Sequence, residues 1–317
     1  MDAALENAVR LLRLAAPAAL GLTIGWAGVF PEPRQAVAVL NTYALTVGFP
    51  ALIAFGLIDA QLALPTQPAF YLIWPCALML TLVAIALLGG VYRGTAALVA
   101  SFGNVAYLGL PLAIATLGDS ASGAAALAVS IHVALSVTVG PALLERWSPQ
   151  SDDAPTSLLT LARRLARLPL FWAPFAGLAA RALPTGPKTE LLAVLGPIAA
   201  SAAPVALFLL GLYLYQERSR LVQFDGPLAG HIALCLLITP ALTFALALGA
   251  TTTQQLDPTH AQLHVLLASM PAAITTFAIA HQANVGSERV AGTIAWSTLG
   301  AAVTIPIWAS LARWAFG

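Results

Sequence analysis

The chain has 317 residues, of which 59% are apolar and only 9% are charged, and its formal net charge at neutral pH is +1. A typical soluble domain carries about a quarter charged residues, so this chain is too poor in charge to cover a soluble surface of its size. The net charge also gives no electrostatic case for nucleic-acid binding. The composition therefore predicts an integral membrane protein whose partner is a lipid bilayer.

Apolar runs of span length recur along the chain, separated by short polar breaks. A helix needs about 20 apolar residues to cross the hydrocarbon core, and only the sixth run is clearly short. The pattern predicts an all-α fold with ten transmembrane helices. In chain order, the predicted spans are Leu11–Phe30, Ala36–Ile58, Phe70–Leu88, Thr95–Leu117, Ala124–Leu144, Leu168–Leu183, Leu191–Tyr213, Leu228–Ala250, Leu263–His281 and Ala291–Trp308.

Basic residues between the spans predict the orientation, because cytoplasmic loops carry an excess of Lys and Arg. The side that holds both termini carries Arg10, Arg13, Arg181, Lys188 and Arg313. The opposite side carries Arg34, Arg93, Arg146, Arg163, Arg164, Arg167, Arg218, Arg220 and Arg289. The second side is therefore predicted to be cytoplasmic, and both termini are predicted to lie outside the cytoplasm.

The ten spans divide at the longest polar stretch, residues 145–167, into two halves of five spans, residues 1–144 and 168–317. An odd number of spans per half gives the halves opposite orientations, which is the inverted repeat of many secondary transporters. Short sequence matches between corresponding spans support the repeat. The matched pairs are Pro50–Leu57 with Pro204–Leu212, and Pro111–Thr116 with Thr276–His281.

Spans four and nine carry helix-breaking residues. In span four Gly109 and Pro111 follow Asn104, and we expect a break at Gly109 because proline removes a helix hydrogen bond and clashes with the preceding turn. In span nine Pro271 precedes Thr275 and a second threonine. Lipid cannot satisfy the backbone groups of a broken helix, so such breaks must line a protein cavity. A proline kink would explain one such span, but two matched breaks favour a binding site.

These interrupted spans resemble those of the auxin efflux carrier family, which includes the plant PIN exporters and many bacterial organic-anion carriers. The similar stretches are Asn104-x-x-x-x-Gly109-x-Pro111, Pro271–Ala280 and Asn41–Leu52, and the resemblance covers nearly the whole chain. Two departures stand out. Plant members commonly have a second proline where this chain has Thr276, and their long cytoplasmic loop is replaced here by residues 145–167, as in bacterial members.

The resemblance implies that spans four and nine cross as broken helices inside a transport domain made of spans three to five and eight to ten. Spans one, two, six and seven would form a scaffold, and a homodimer through the scaffold is expected. The implied function is export of a small organic anion, an auxin-like aromatic carboxylate or a dicarboxylate, across the bacterial inner membrane by elevator-type alternating access. A sodium- or proton-coupled symporter of the related bile-acid-transporter-like fold and a passive channel remain as alternatives.

An anion site here does not require an embedded arginine, because half-helix N-termini carry partial positive charge and unpaired N–H donors. We expect such half-helices to begin near Pro111 and Thr276. Asn104 would add an amide donor, although an interhelical hydrogen bond that joins spans is the alternative for this residue. The candidate substrate-binding residues are Asn41, Pro50, Asn104, Tyr107, Leu110, Pro111, Thr275, Thr276 and Phe277.

No Asp or Glu lies deep in any span, so we expect transport to respond to membrane potential more than to a pH gradient. His132 in span five is a candidate proton relay, but a hydrogen-bonded packing residue is the favoured interpretation. His260 and His264 lack a third metal ligand nearby and are interpreted as interfacial polar residues. Since no nucleophile–base set or pair of catalytic acids lies within the spans, we predict no enzymatic activity, no cofactor and no metal.

Overall fold

The computed structural model describes residues 16–59, 65–88, 90–148, 163, 166–218 and 224–317. All regular secondary structure in these ranges is helical, which confirms an all-α membrane protein, and one isolated bridge joins Gly103 to Ala272. Several sequence predictions fall outside the described residues. They concern the start of span one, Arg10, Arg13, Arg164, Arg220 and most of the linker at 145–167.

The helices follow the predicted apolar runs along the chain. They are α1 (Ala16–Trp26), α2 (Pro33–Tyr43), α3 (Phe49–Asp59), α4 (Pro68–Leu88), α5 (Arg93–Ser101), α6 (Leu110–Leu117), α7 (Ser122–Trp147), α8 (Pro169–Ala180), α9 (Thr185–Gln216), α10 (Gly226–Ala233), α11 (Thr239–Thr252), α12 (Pro258–Ala268), α13 (Thr275–Gln282) and α14 (Ser287–Phe316).

Six helical stretches are long and apolar enough to cross a membrane by length and composition, and three further apolar helices are shorter. The shorter ones lie in predicted spans one, four and six. The helix of span six, α8, has 12 residues and covers only about 18 Å at 1.5 Å per residue. The several apolar spans of a multi-pass membrane protein are thus present, and the count of ten stays a prediction. The six long stretches are Pro33–Ile58, Pro68–Leu88, Ser122–Trp147, Thr185–Gln216, Gly226–Thr252 and Ser287–Phe316.

Three prolines lie just after π-helical turns and do not interrupt their helices. Proline has no N–H, and its ring collides with the carbonyl group four residues earlier. A wider turn relieves that collision, and the freed carbonyl then needs another donor. For Pro240 the donor is visible, since the indole Nε1 of Trp308 donates to the carbonyl oxygen of Leu236 at 2.8 Å. The turns that precede Pro50, Pro111 and Pro240 are Ala44–Gly48, Val105–Gly109 and Leu234–Ile238.

The chain divides into two compact units, and each is described by itself. The first comprises Met1–Leu62, Ala106–Leu127 and Leu168–Ser219. Within it α3 packs against α8 and α9. Gly211 of α9 lies against the backbone of α1, where an added Cβ would overlap the carbonyl oxygen of Ala18. Small residues of this kind allow membrane helices to approach closely.

The second unit comprises Ala63–Val105, Ala128–Arg167 and Arg220–Gly317. Within it α4 packs against α5 and α11, and α12 contacts α4, α11 and α14. Its apolar core includes Trp74 and Leu78 of α4 together with residues of α5, Leu234 of the π-helical turn after α10, and Ala268 of α12. This unit contains the stretch after α5 and the stretch between α12 and α13, where spans four and nine lose their helical structure.

At one end of the second unit, contacts of two arginine side chains join four helix termini. Arg289 at the start of α14 bonds the carboxylate of Asp225, which precedes α10, with an N···O distance of 2.7 Å. Its guanidinium also lies 3.9 Å from the ring centre of Tyr92, and the neighbouring Arg93 lies over the ring of Trp147 at the end of α7. Hydrogen bonds from Arg289 and from the N–H of Leu228 lower the pKa of Asp225, so this contact stabilises the fold at neutral pH and weakens as pH falls through that lowered pKa.

Candidate functional site

Span four is interrupted, but earlier than its proline predicts. Helix α5 ends at Ser101, and Phe102 takes an extended conformation with φ −121° and ψ 71°. Helical structure resumes at Val105 and continues through α6. The predicted break at Gly109 and the half-helix start near Pro111 are therefore wrong. The reason is physical, since a π-helical turn accommodates the proline without opening the helix.

The interruption in span nine lies where the sequence predicts it. Helix α12 ends at Ala268, and α13 begins at Thr275, one residue from the predicted start. The segment between them contains Pro271 and does not form a helix. Its backbone N–H and C=O groups therefore need partners outside a helix.

The two interruptions pair with each other inside the second unit. The N–H of Asn104 donates to the carbonyl oxygen of Pro271 at 2.7 Å, and the N–H of Ala273 donates to the carbonyl oxygen of Phe102 at 2.8 Å. Ala272, which is bridged to Gly103, donates its own N–H to the hydroxyl of buried Ser297 on α14 at 3.2 Å. This short antiparallel pairing, 102–104 with 271–273, is called the bridge below. It satisfies the N–H groups of Asn104 and Ala273 and the carbonyl groups of Pro271 and Phe102.

Asn104 contributes more than its backbone to this region. Its side chain is 2% exposed, and its Nδ2 has no hydrogen-bond partner among the described residues. A buried amide left unsatisfied costs roughly 1–3 kcal/mol, so such a group calls for an explanation. The interhelical bond considered for this side chain is not formed by its nitrogen, which leaves an amide donor free for a ligand.

The start of α13 carries three further candidates in the same unit. The hydroxyl of Thr276 donates to the carbonyl oxygen of Ala273 at 2.7 Å, and the N–H groups of Thr276 and Phe277 donate to Ala273 and Ile274 at 3.1 and 3.0 Å. These donors are engaged in tightening the first turn. Thr275 is half-buried, and the Phe277 ring stacks on His281. What α13 offers an anion is mainly the positive end of its dipole.

The remaining candidates belong to the first unit. The hydroxyl of Tyr107 donates to Oδ1 of Asn41 at 2.6 Å, and its ring stacks on Phe49 with 4.8 Å between centroids. These two predicted residues are thus brought together by a direct hydrogen bond. Leu110 and Pro111 are buried in α6, and Pro50 is half-buried in α3.

One interpretation of a histidine is wrong, and another stays a prediction. His132 is 1% exposed, but neither ring nitrogen has a hydrogen-bond partner among the described residues, so it is no hydrogen-bonded packing residue. His264 is also 1% exposed, so protein encloses its side chain, and its depth in the membrane stays a prediction. Sequence analysis also missed the aromatic residues that these imidazoles contact, Phe70 and Trp74 of α4. Phe70 and Trp74 are four residues apart, as are His260 and His264. Residues at this spacing lie on one face of a helix, and the matching pattern could have identified the two aromatic residues.

The side chains in the described ranges form no group of three or more His, Cys, Asp or Glu residues that could hold a metal ion. The chemistry available at the bridge is therefore hydrogen bonding and helix-dipole electrostatics from groups of the chain itself.

Comparison with known proteins gives one family and several named relatives. The family model described as "Membrane transport protein" matches residues 10–309. A protein named "Putative malonate transporter" from Rhizobium meliloti is 30% identical over 284 residues, which cover 86% of each chain. A protein named "Uncharacterized transporter YfdV" from Escherichia coli K12 is 29% identical over 221 residues, 68% of this chain and 67% of that protein.

Proposed function

Because the chain belongs to the membrane transport protein family, we propose that it is a secondary transporter of a small organic anion. This family is the auxin efflux carrier family that the sequence resembles. The family and the named relatives are membrane transporters, which confirms that the chain is a transport protein and not an enzyme. The substrate class, the mechanism and the location in a bacterial inner membrane are parts of the proposal.

The unsatisfied amide of Asn104 is the observation that carries the proposal. It is a buried donor beside a backbone bridge, in a unit where α13 also presents its N-terminal end. Donors and helix N-termini favour negative charge, and binding energy is large when a buried donor meets a charged acceptor. A carboxylate is the simplest ligand that would satisfy this arrangement.

We favour a dicarboxylate such as malonate over an aromatic monocarboxylate. The support is the similarity, along 86% of the chain, to a protein whose name assigns it malonate. The apolar ring of Phe277 near the start of α13 keeps the aromatic carboxylate as the second candidate, since such a ring would contact the body of an auxin-like molecule. The two classes differ in charge and shape, and a binding comparison separates them.

The proposed mechanism is elevator-type alternating access in which the unit that holds Asn104 carries the substrate. Support comes from the way the chain divides, because predicted spans one, two, six and seven fall in one compact unit and spans three, eight, nine and ten in the other. The first unit also includes Ala106–Leu127, which belongs to spans four and five and so divides the transport domain that the resemblance implies. We also propose that spans one, two, six and seven form the scaffold and mediate a homodimer. Native mass spectrometry from nanodiscs tests the dimer.

A panel of ligands on purified protein tests the substrate proposal. Malonate at about 100 times its dissociation constant is expected to stabilise the folded state by about 2.7 kcal/mol, measured as a rise in melting temperature. Indole-3-acetate should give a smaller rise, and choline, a cation of similar size, none. A rise with choline and none with either anion would overturn the proposed anion site. Counterflow of labelled malonate in liposomes then separates a carrier, which accelerates under exchange, from a channel.

Orientation is tested by labelling single cysteines from outside intact cells, in a background with Cys76 and Cys235 replaced by alanine. Gly317→Cys is expected to react, and Asn284→Cys in the exposed turn before α14 is expected to be protected. Support comes from the arginine asymmetry and from the cluster of Arg93 and Arg289 at one end of the second unit. The reverse labelling pattern would place both termini in the cytoplasm.

A further inference from the structure

Three histidines line one aromatic face inside the second unit. Phe70 and Trp74 are one turn apart on α4. The imidazole of His132, from α7, stacks on the Trp74 indole with 3.7 Å between centroids. The imidazoles of His260 and His264, from α12, meet the Phe70 ring edge-on at 5.0 and 4.9 Å.

Burial deepens along this row. Helix α12 begins at an exposed turn, where Asp257 caps its first N–H groups. His260 follows and is half-buried, and His264 is buried one turn further on. His132 is buried as deeply on the neighbouring helix. The row thus runs from the surface of the unit into its interior.

The hydrogen bonding of His132 differs from that of a structural histidine in the same unit. His231 is 3% exposed, and its two ring nitrogens contact the Pro227 carbonyl oxygen at 2.6 Å and the Thr95 hydroxyl at 3.0 Å. His132 has neither contact in the part of the chain that the structure describes, and Nε1 of Trp74 is likewise unpartnered there. Ionisable side chains inside a membrane are costly and usually functional, and packing alone does not require an imidazole at position 132.

The groups that face the row are few. His264 is the titratable neighbour that acts on His132, His260 acts on His264, and Asp257 acts on His260. From α4 the neighbouring side chain is Trp74, which does not titrate. The row is therefore a chain of imidazoles with one carboxylate at its exposed end.

The row also connects to the bridge. One turn after His132, the hydroxyl of Ser136 donates to the carbonyl oxygen of Ser101, and Ser101 ends α5 three residues before Asn104. A positive charge on a buried imidazole is unfavourable without a nearby anion. An anion held at Asn104 would supply one.

We propose that His132 and His264 form a proton-binding pair, reached from the Asp257 end through His260, and that protonation of the pair accompanies binding of the anionic substrate. The chain would then take up one proton from solution with each substrate anion and release it with the anion on the other side. The coupling rests on the proposed function, but proton binding by the pair does not. This inference replaces the expectation that transport responds to membrane potential more than to a pH gradient.

Fluorescence tests proton binding with and without malonate. An imidazolium stacked on indole quenches its emission, so Trp74 reports directly on His132. With malonate bound, the difference in emission between the wild type and Trp74→Phe is expected to fall as pH is lowered from about 10 to about 7, and without malonate the fall should come about two pH units lower or more. His132→Gln should abolish that fall, and the matched control His231→Gln should keep it. A difference signal that stays flat in these ranges, with and without malonate, would overturn the proposal.

Calorimetry tests the coupling. Malonate is titrated at about pH 7.5 in buffers of different ionisation enthalpy, which reports the protons taken up per ligand. We expect about one proton per malonate in the wild type and in His231→Gln, and none in His132→Gln or His264→Gln. Since linkage is reciprocal, uptake of about one proton requires malonate to raise the midpoint of the Trp74 signal by about two pH units or more.

The outcomes separate the two proposals. Malonate binding without proton uptake, together with a flat Trp74 signal, rejects the histidine pair and leaves the anion transporter standing. No malonate binding, together with a Trp74 signal that titrates and depends on His132, rejects the substrate and supports the proton site. Melting temperatures of the glutamine variants show whether a lost signal comes from a folded protein.

Discussion

The Asn104→Leu variant is expected to bind malonate about 5- to 150-fold more weakly than the wild type while melting at the same or a higher temperature. A hydrogen bond to a charged ligand is worth about 1–3 kcal/mol, which sets the range of the binding loss. The melting temperature should not fall, because the buried Nδ2 has no protein partner among the described residues. Leucine has the same branched skeleton of side-chain heavy atoms as asparagine, and it removes a polar group whose burial is uncompensated.

Two further variants sharpen this test. Asn104→Asp keeps the shape but replaces the donor with a negative charge, so malonate binding should fall beyond the loss in Asn104→Leu, and binding of a cation should not. Asn41→Leu is the contrast for stability, because the Tyr107 hydroxyl loses the acceptor that it contacts at 2.6 Å, and its melting temperature should fall. Normal malonate binding by Asn104→Leu, combined with a large drop in melting temperature, would show that Asn104 only holds the spans together.

A residue that lowers stability while it serves a ligand is a common feature of functional sites. The bridge shows how the chain limits that cost. The broken ends at Phe102–Asn104 and Pro271–Ala273 bond to each other through two backbone hydrogen bonds, while Nδ2 of Asn104 has no partner among the described residues. The fold thus pairs backbone groups of the two breaks and keeps this amide donor free for a ligand.

The apolar runs predicted the positions of the helices well, because burial in lipid needs long stretches that are visible in the sequence. Helices such as α4 and α7 lie within two or three residues of their predicted limits. Helix α8 was harder, since a short apolar run does not show how much of the bilayer its helix crosses. The interruptions were assigned to the right spans, because proline, glycine and hydroxyl residues inside apolar runs are easy to see.

The position of the break in span four could not be predicted locally. Proline can break a helix, or a π-helical turn can accommodate it. The outcome depends on which donors bond the carbonyl group that proline leaves without a partner. Pro111 is accommodated, and the helix around it stays continuous. The extended conformation at Phe102 is instead held by Ala273, far along the chain, and a hydrogen bond between such distant residues leaves no mark in a local pattern.

The burial of His264 was missed for a related reason. The spacing of His260 and His264 shows only that they share a helix face, and the depth of that face depends on where α12 begins. Asp257 caps the helix at an exposed turn, which carries His264 inside the unit against Phe70. The aromatic residues of α4 that complete this surface belong to a different span, and single-sequence reasoning does not pair the two.

The bridge itself is tested by Ala273→Pro, which is expected to reduce malonate binding and transport about 100-fold or more. Proline deletes the N–H that donates to the Phe102 carbonyl oxygen at 2.8 Å, and leaving that carbonyl group unmet costs up to about 3 kcal/mol. The loss should appear in binding because the bridge fixes Asn104 relative to the start of α13. Equilibrium binding of labelled malonate and uptake into liposomes measure the two effects.

The matched control for this variant is Ala283→Pro, which deletes a single backbone hydrogen bond to Ile279 at the other end of α13. It is expected to lower the melting temperature comparably while malonate binding stays within about threefold of the wild type, because the bridge is untouched. Pro111→Ala should be similarly mild, since its π-helical turn can relax into an α-helix without closing the break at Phe102–Asn104. The opposite result would be loss of transport in Pro111→Ala together with normal malonate binding in Ala273→Pro. It would show that the functional break lies at Gly109 and that the bridge is not part of the binding site.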